Sequence, residues 1–213
     1  MVELRCADTV NLVKDCTALY KQMEKIPMDF FVEQLPRGTS LAYTGLELNH
    51  HWIYRKLGRL GSGMVCFEGP AQVNVTEMVD LTDVQKRAFI FSPHMLHFLC
   101  EWFSVPLLPM VLAQNNFIFL VAEYLAKKGI RVARTGNDLY VNDRKLSVSI
   151  ATQTVVSSLF HIGINVQSDG APVPAIGLSE LHLDSYDVGS ALCAAFQIEW
   201  AHWHRSVVKV SPR

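Results

Sequence analysis

The chain has 213 residues, half of them apolar and 18% charged, with a formal net charge of −1; this suits one sizeable core, or one domain with an extension. The near-neutral balance, with no run of like charges, excludes a nucleic-acid tail or an anionic-membrane patch as the mode of action. Cys6, Cys16, Cys66, Cys100 and Cys193 are odd in number, scattered and without a C-x-x-C, so they give neither a zinc knuckle nor a disulfide framework.

The opening stretch, MVELRCADTVNLVKD, carries charges where a signal peptide needs an apolar core. A reducing cytoplasm is the expected location. Residues 9–24 place Val10, Val13, Leu19 and Met23 at helical spacing after an Asp8 or Thr9 cap, and Pro27 ends the run. Residues 1–40 are therefore expected to form a helical N-terminal extension, with a second unit over 41–213. LNHHWIYRKLG is expected as a short helix, GRLGSG as a glycine loop, and MVCFEG as a strand ended by Gly69-Pro70. SPHMLHFLCEWF, with Ser92 as cap and Pro93 at the first helical position, is expected as a helix. Residues 102–122 hold no charge and are long enough to span a bilayer, but Pro106, Pro109 and the amides Gln114, Asn115 and Asn116 argue against it. MVLAQNNFIFLVAEYLAKKG is expected as a buried helix closing on Lys127, Lys128 and Gly129. A hairpin follows, with Asp138 to Val141 and Arg144 to Ala151 joined at Asn142-Asp143, then a strand over LFHIGINV. Asp184 to Arg205 is expected as a final helix, and SVVKV as a last strand. Mixed order with consecutive hairpins gives an α+β fold, a mostly antiparallel sheet backed by helices.

Strand alternation sorts the side chains of this region. Leu146, Val148 and Ile150 should share one face and pack on the helices. Lys145, Ser147 and Ser149 should share the other, beside His161, Gly163 and Asn165 of the following strand. Such a face is either a solvated sheet surface or a bed for an anionic ligand, small and polar around one cation.

These residues also carry a resemblance. NDLYVNDRKLS followed by HIGINV resembles biotin protein ligases, whose pattern runs K-W-P-N-D-[LI]-Y, R-K-L-x-G and G-x-G-I-N-[VM]. Lipoate protein ligases have a similar N-D then R-K-[VL]-x-G-S segment. The upstream ligase loop G-R-G-R-x-G has its counterpart by order in Gly58, Arg59, Leu60, Gly61, Ser62 and Gly63. Arg134 stands where the ligases have a lysine, and Val148 where they have a glycine. HWIYRKLG, MVDLTDV, MLHFLCEWF, DRKLSVSIAT and PVPAIGL further resemble a prokaryotic family, a domain of unknown function, that looks like a relative of these ligases.

The resemblance implies a ligase-like fold, shared with class II synthetase cores, and a ligase or acyltransferase chemistry. A small carboxylic acid would react with ATP, and the acyl group would pass to a lysine on a carrier protein. Lys145 would contact the acyl carbonyl and phosphate, and Arg134, Arg55 and Arg59 would neutralise the triphosphate. Gly61, Ser62 and Gly63 would supply backbone N–H groups, and Asn137 or Asp138 would hold Mg²⁺. Ser147, Ser149, His161, Gly163 and His50 would complete the ligand bed. Two alternatives of other classes stand beside this one: a non-catalytic small-molecule or nucleotide-binding protein, and an ATP-independent acyltransferase. No nucleic-acid or membrane partner is expected, and a homodimer is compatible with the sequence.

Other constellations are weaker. His94, His97 and Glu101 would share one face of a helix and could hold a metal, but H-x-x-H is common. Cys66 would need an adjacent base to act as a nucleophile. Trp52, Trp102, Trp200 and Trp203 read as core or interface anchors.

Overall fold

The structure, a computed structural model, describes residues 30–211. The helix expected over 9–24 lies outside the described residues. The elements in chain order are β1 (Phe31–Gln34), α1 (Trp52–Leu57), β2 (Gly63–Val73), a 3₁₀ turn (Val75–Glu77), α2 (Leu81–Lys86), β3 (Ile90–Phe103) and α3 (Leu107–Lys127). They continue with β4 (Ala133–Thr135), β5 (Asp138–Val141), β6 (Arg144–Lys145), β7 (Ser147–Gln153), β8 (Ser157–Gln167) and α4 (Ser185–Val208).

Among the described residues, one five-stranded sheet runs β1-β2-β3-β8-β7, and a small three-stranded sheet runs β4-β5-β6. Only the β1–β2 pairing in the large sheet is parallel. β1 falls inside the segment expected as a helical extension, so residues from Phe31 onward belong to the main sheet.

Helices α3 and α4 cover one face of that sheet. Phe117 of α3 meets Phe98 of β3 at 4.7 Å and Phe196 of α4 at 5.3 Å between ring centroids. Leu96, Cys100, Ile162 and Ile164 join them in one apolar cluster. The opposite face carries Val65, Phe67, Leu99 and Leu159, covered by Tyr43, Leu48 and Ile53. α3 is long and apolar enough to cross a membrane by length and composition, and here it lays Met110, Phe117, Ile118, Val121 and Leu125 against the sheet. Pro109 falls in its first turn, where no N–H is needed. Its end is as expected: Gly129 has φ 78°, and Ile130 N donates to Leu125 O at 3.0 Å.

Four expectations are corrected. SPHMLHFLCEWF is strand β3, not a helix; it is buried on both faces, so it shows an apolar run instead of strand alternation. β2 continues through Gly69-Pro70, because a register shift between Gly69 and Ala71 accommodates the proline. Ser206 to Val208 extend α4 and form no strand. The faces of the 147–151 segment are inverted, while Lys145 and Leu146 keep the sides expected of them.

Candidate functional site

The hairpin β4–β5 and the short β6 bring Asp138 and Lys145 together. The Lys145 Nζ lies 2.7 Å from Asp138 Oδ2, with the two side chains 26% and 28% exposed. Lys145 stays in place through its main chain: its N–H donates to Pro174 O at 2.9 Å, and its carbonyl accepts from Ile176 N at 3.0 Å and Asn165 Nδ2 at 3.2 Å. Lys145 and Asp138 both line a cavity of about 470 Å³.

The floor of the cavity is the β3–β8–β7 part of the sheet, through Met95, His161, Asn165, Val148 and Ile150. Its walls are the hairpin residues 135–138, the segment 77–91 and the loop 171–175. Val148 pairs with Gly163 and Ile150 with His161, so these apolar side chains share the floor with the imidazole. Ser147 and Ser149 point the other way. Ser147 Oγ accepts from Leu139 N at 3.1 Å, while Ser149 Oγ accepts from Gln114 Nε2 of α3 at 2.9 Å and donates to Asn137 O at 3.0 Å. The chain leaves the small sheet at Leu146, and this step turns the later side chains over. Ser149 still touches the cavity edge.

His161 of the floor is buried against His97. His97 Nε2 is 3.2 Å from Gly69 O, and His97 Nδ1 is 3.0 Å from His161 Nε2. Tyr43 stacks on the His161 ring at 3.7 Å and 9°. Burial pushes His97 down to about 3, the Gly69 carbonyl opposing it in part and His94 adding to it. Burial and then His97 push His161 well below its ordinary value. Both rings are therefore neutral near pH 7.

Of the residues singled out from sequence, the fold brings Lys145, Asn137, Asp138, Ser149 and His161 to one cavity. Gly163, paired with Val148, does not itself line it; an added Cβ there would meet Sδ of Met95, which does, at 2.5 Å. Gly61, Ser62, Gly63, Arg55, Arg59 and His50 do not line it. Gly63 starts β2 and Val73, a cavity residue, ends it, which separates them by roughly 30 Å. The loop is occupied locally: Ser62 Oγ accepts from Phe103 N at 3.1 Å, and Arg59 stacks on Phe31 at 4.3 Å and faces Glu33 at 3.7 Å. Arg134 is tied to Gly136 O at 2.8 Å and to Asn115 Oδ1, over the Phe119 ring.

The metal reading of His94, His97 and Glu101 does not hold. On a strand they go to separate partners: His94 to Glu68, His97 to His161, and Glu101 to His51 N and Ser157 Oγ. Among the described residues no group of three or more such ligands could hold a metal. Burial and Cys193 raise the Cys66 thiol, which makes it a packing residue. The sequence reading missed the carboxylates Glu77, Asp80 and Asp83 of the far wall. Glu77 sits in the 3₁₀ turn, Asp80 caps α2 and Asp83 lies in its first turn, elements too short to leave a periodic signal.

Residues 33–211 match the family described as domain of unknown function DUF366. The chain belongs to that family. An uncharacterised protein of Methanocaldococcus jannaschii is 35% identical over 153 residues, 69% of either chain. A protein of unknown function from Pyrococcus horikoshi is 36% identical with a TM-score of 0.83, covering 87% of this DUF366 chain and 100% of its own. A T. acidophilum protein assigned as a candidate lipoate protein ligase superposes with a TM-score of 0.50 at 14% identity, over 81% of this chain and 85% of its own. At that identity the likeness speaks for the fold alone. The DUF366 domain thus has the α+β ligase-like fold that the N-D hairpin and the G-I-N strand suggested.

Proposed function

We propose that the cavity binds a small carboxylic acid with its carboxylate at Lys145, and that the protein forms or transfers the corresponding acyl group to an amine such as a carrier-protein lysine. The observation that carries this reading is that Lys145 and Asp138 line one cavity, with the Lys145 ammonium anchored by Asp138 at 2.7 Å. One of its three N–H groups faces Asp138, which leaves two for a ligand. In the transfer step the bond from acyl carbon to phosphate or thiolate breaks as the bond to the amine nitrogen forms, and the amine's proton passes to water. An ammonium beside the carbonyl stabilises the developing oxyanion.

ATP with Mg²⁺ is the activator that a ligase calls for. The residues here do not suit a bare triphosphate. Arg134 is engaged elsewhere, Arg55 and Arg59 lie off the cavity, and the far wall carries Glu77, Asp80 and Asp83. This favours a second reading, an ATP-independent acyltransferase that receives its acid already activated. Cys66, Cys100 and Cys193 are free and buried, in keeping with work in a reducing cytoplasm.

The test has two arms: pyrophosphate release from ATP, Mg²⁺ and pooled small acids, and acyl transfer from matching thioesters to a lysine peptide, read by mass spectrometry. We expect product in one arm, and we expect Lys145→Ala to abolish it at an unchanged melting temperature. Product that survives Lys145→Ala overturns the role of Lys145. Acid binding without product in either arm would leave a binding protein.

A further inference from the structure

We infer that the cavity selects acids whose far end carries an N–H or O–H donor, received by Nδ1 of His161. The inference rests on the carboxylate reading of Lys145 and names the substrate class for it.

The proton positions follow from the partners. Gly69 O can only accept, so the His97 Nε2 facing it at 3.2 Å carries the hydrogen. A neutral imidazole has one N–H, which makes His97 Nδ1 a bare acceptor. His161 Nε2, 3.0 Å away, must then be the donor. His161 Nδ1 is left with a lone pair and cannot donate. The relay is held by burial, with His97 0% and His161 2% exposed, and by the Tyr43 ring stacked on His161.

That lone pair has no hydrogen-bond partner among the described residues. It is also not sealed: among the described residues, the buried polar side-chain atoms without a partner are His50 Nδ1 and Asn116 Oδ1. His161 lines the cavity, so its free nitrogen opens there. Met95, Val148 and Ile150 make the floor around it apolar, so a ligand end without a donor would leave the nitrogen dry and unpaired. The distance suits a chain molecule. Asn165, bonded to the Lys145 carbonyl, is four residues along β8 from His161, or roughly 13 Å. Carboxylate and donor would thus sit at opposite ends of an apolar body.

Calorimetry with the full chain and matched pairs, octanoate against 8-hydroxyoctanoate and decanoate against 10-hydroxydecanoate, tests this. The hydroxy acid should bind about tenfold or more tightly. His161→Phe should erase the preference. His97→Phe frees His161 to carry its proton on Nδ1, and should shift the preference to an acceptor-ended acid such as 8-methoxyoctanoate. Should a variant not fold, ¹⁵N spectra of the wild-type imidazoles serve instead: the His161 Nδ1 signal should move upfield with the hydroxy acid and stay with the methyl-ended one. Equal affinities, or an Nδ1 signal that moves with neither, overturn the inference and leave the carboxylate reading standing. A folded protein that binds none of these acids overturns both.

Discussion

Gly163 and Gly69 show how much one hydrogen atom can matter in this sheet. A Cβ at Gly163 would meet the Met95 thioether, which borders the cavity and can swing into it. A Cβ at Gly69 would meet the Leu41 carbonyl oxygen at 1.9 Å, a main-chain atom with nowhere to go. Gly163→Ala should cost about 1 kcal/mol and weaken acid binding, because Met95 takes up ligand space. Gly69→Ala should cost about 3 kcal/mol or more and yield little soluble protein. Urea denaturation of both variants ranks them, and the reverse order would refute the argument. Lys145, Asp138 and His161 could be found in the sequence because each lies in a short motif. Tyr43, which fixes the His161 ring, could not; nothing near Tyr43 in the chain tells of a partner more than a hundred residues away.

At the scale of elements, β3 and β7 are where pattern and structure part. β3 crosses the middle of the sheet with Leu96, Phe98 and Cys100 towards the helices and Met95, His97 and Leu99 towards the other layer. With both sides covered, its sequence keeps no polar side, and Ser92-Pro93 imitates a helix start. β7 is a strand as expected, but the switch at Leu146 reverses which alternate residues meet the cavity. The start of α1 depends on β3 in turn. Glu101 is 2% exposed, and its Oε1 accepts from His51 N and Ser157 Oγ, each at 2.8 Å. His51 needs such a clamp because its φ is 58°. Glu101→Ala should destabilise by about 2–3 kcal/mol, with Glu101→Gln recovering part of the loss through its amide oxygen. Chemical denaturation gives both values, and hydrogen exchange at residues 49–53 should speed up in the Ala variant. Unchanged exchange there would place the cost elsewhere.

The whole molecule stores a dependence on pH in its two buried imidazoles. The folded chain holds His97 near 3 and His161 well below 6.5, while the unfolded chain protonates both near 6.5. Below that pH the unfolded state binds protons that the folded state refuses, so stability falls as the solution is acidified. The slope approaches about 1.4 kcal/mol per pH unit for each histidine. Asp184, lowered from 3.8 to about 2 by Arg37, adds its own loss only once the pH drops below about 4. Urea midpoints at pH 7.5 and pH 5 should therefore differ, and His97→Phe should flatten the difference. A midpoint independent of pH across that span would mean that the rings are charged or reached by water. The layered architecture was legible from the order of hairpins and helices. The two-sided burial that forces this pair to stay neutral was not, because it depends on Tyr43 and on Phe67 and Gly69 of β2 arriving from two other segments.

The seam at Leu146 joins two mechanical units. On one side the main chain of Lys145 is stitched to Pro174 and Ile176, across the mouth; on the other, β7 continues into the rigid floor. The Lys145 main chain cannot shift without unlatching the 174–176 segment, and that segment cannot lift away without loosening the stem from which the ammonium extends. Arrival and departure of a guest are thus geared to one small joint at the edge of the large sheet, while the slab beneath stays still.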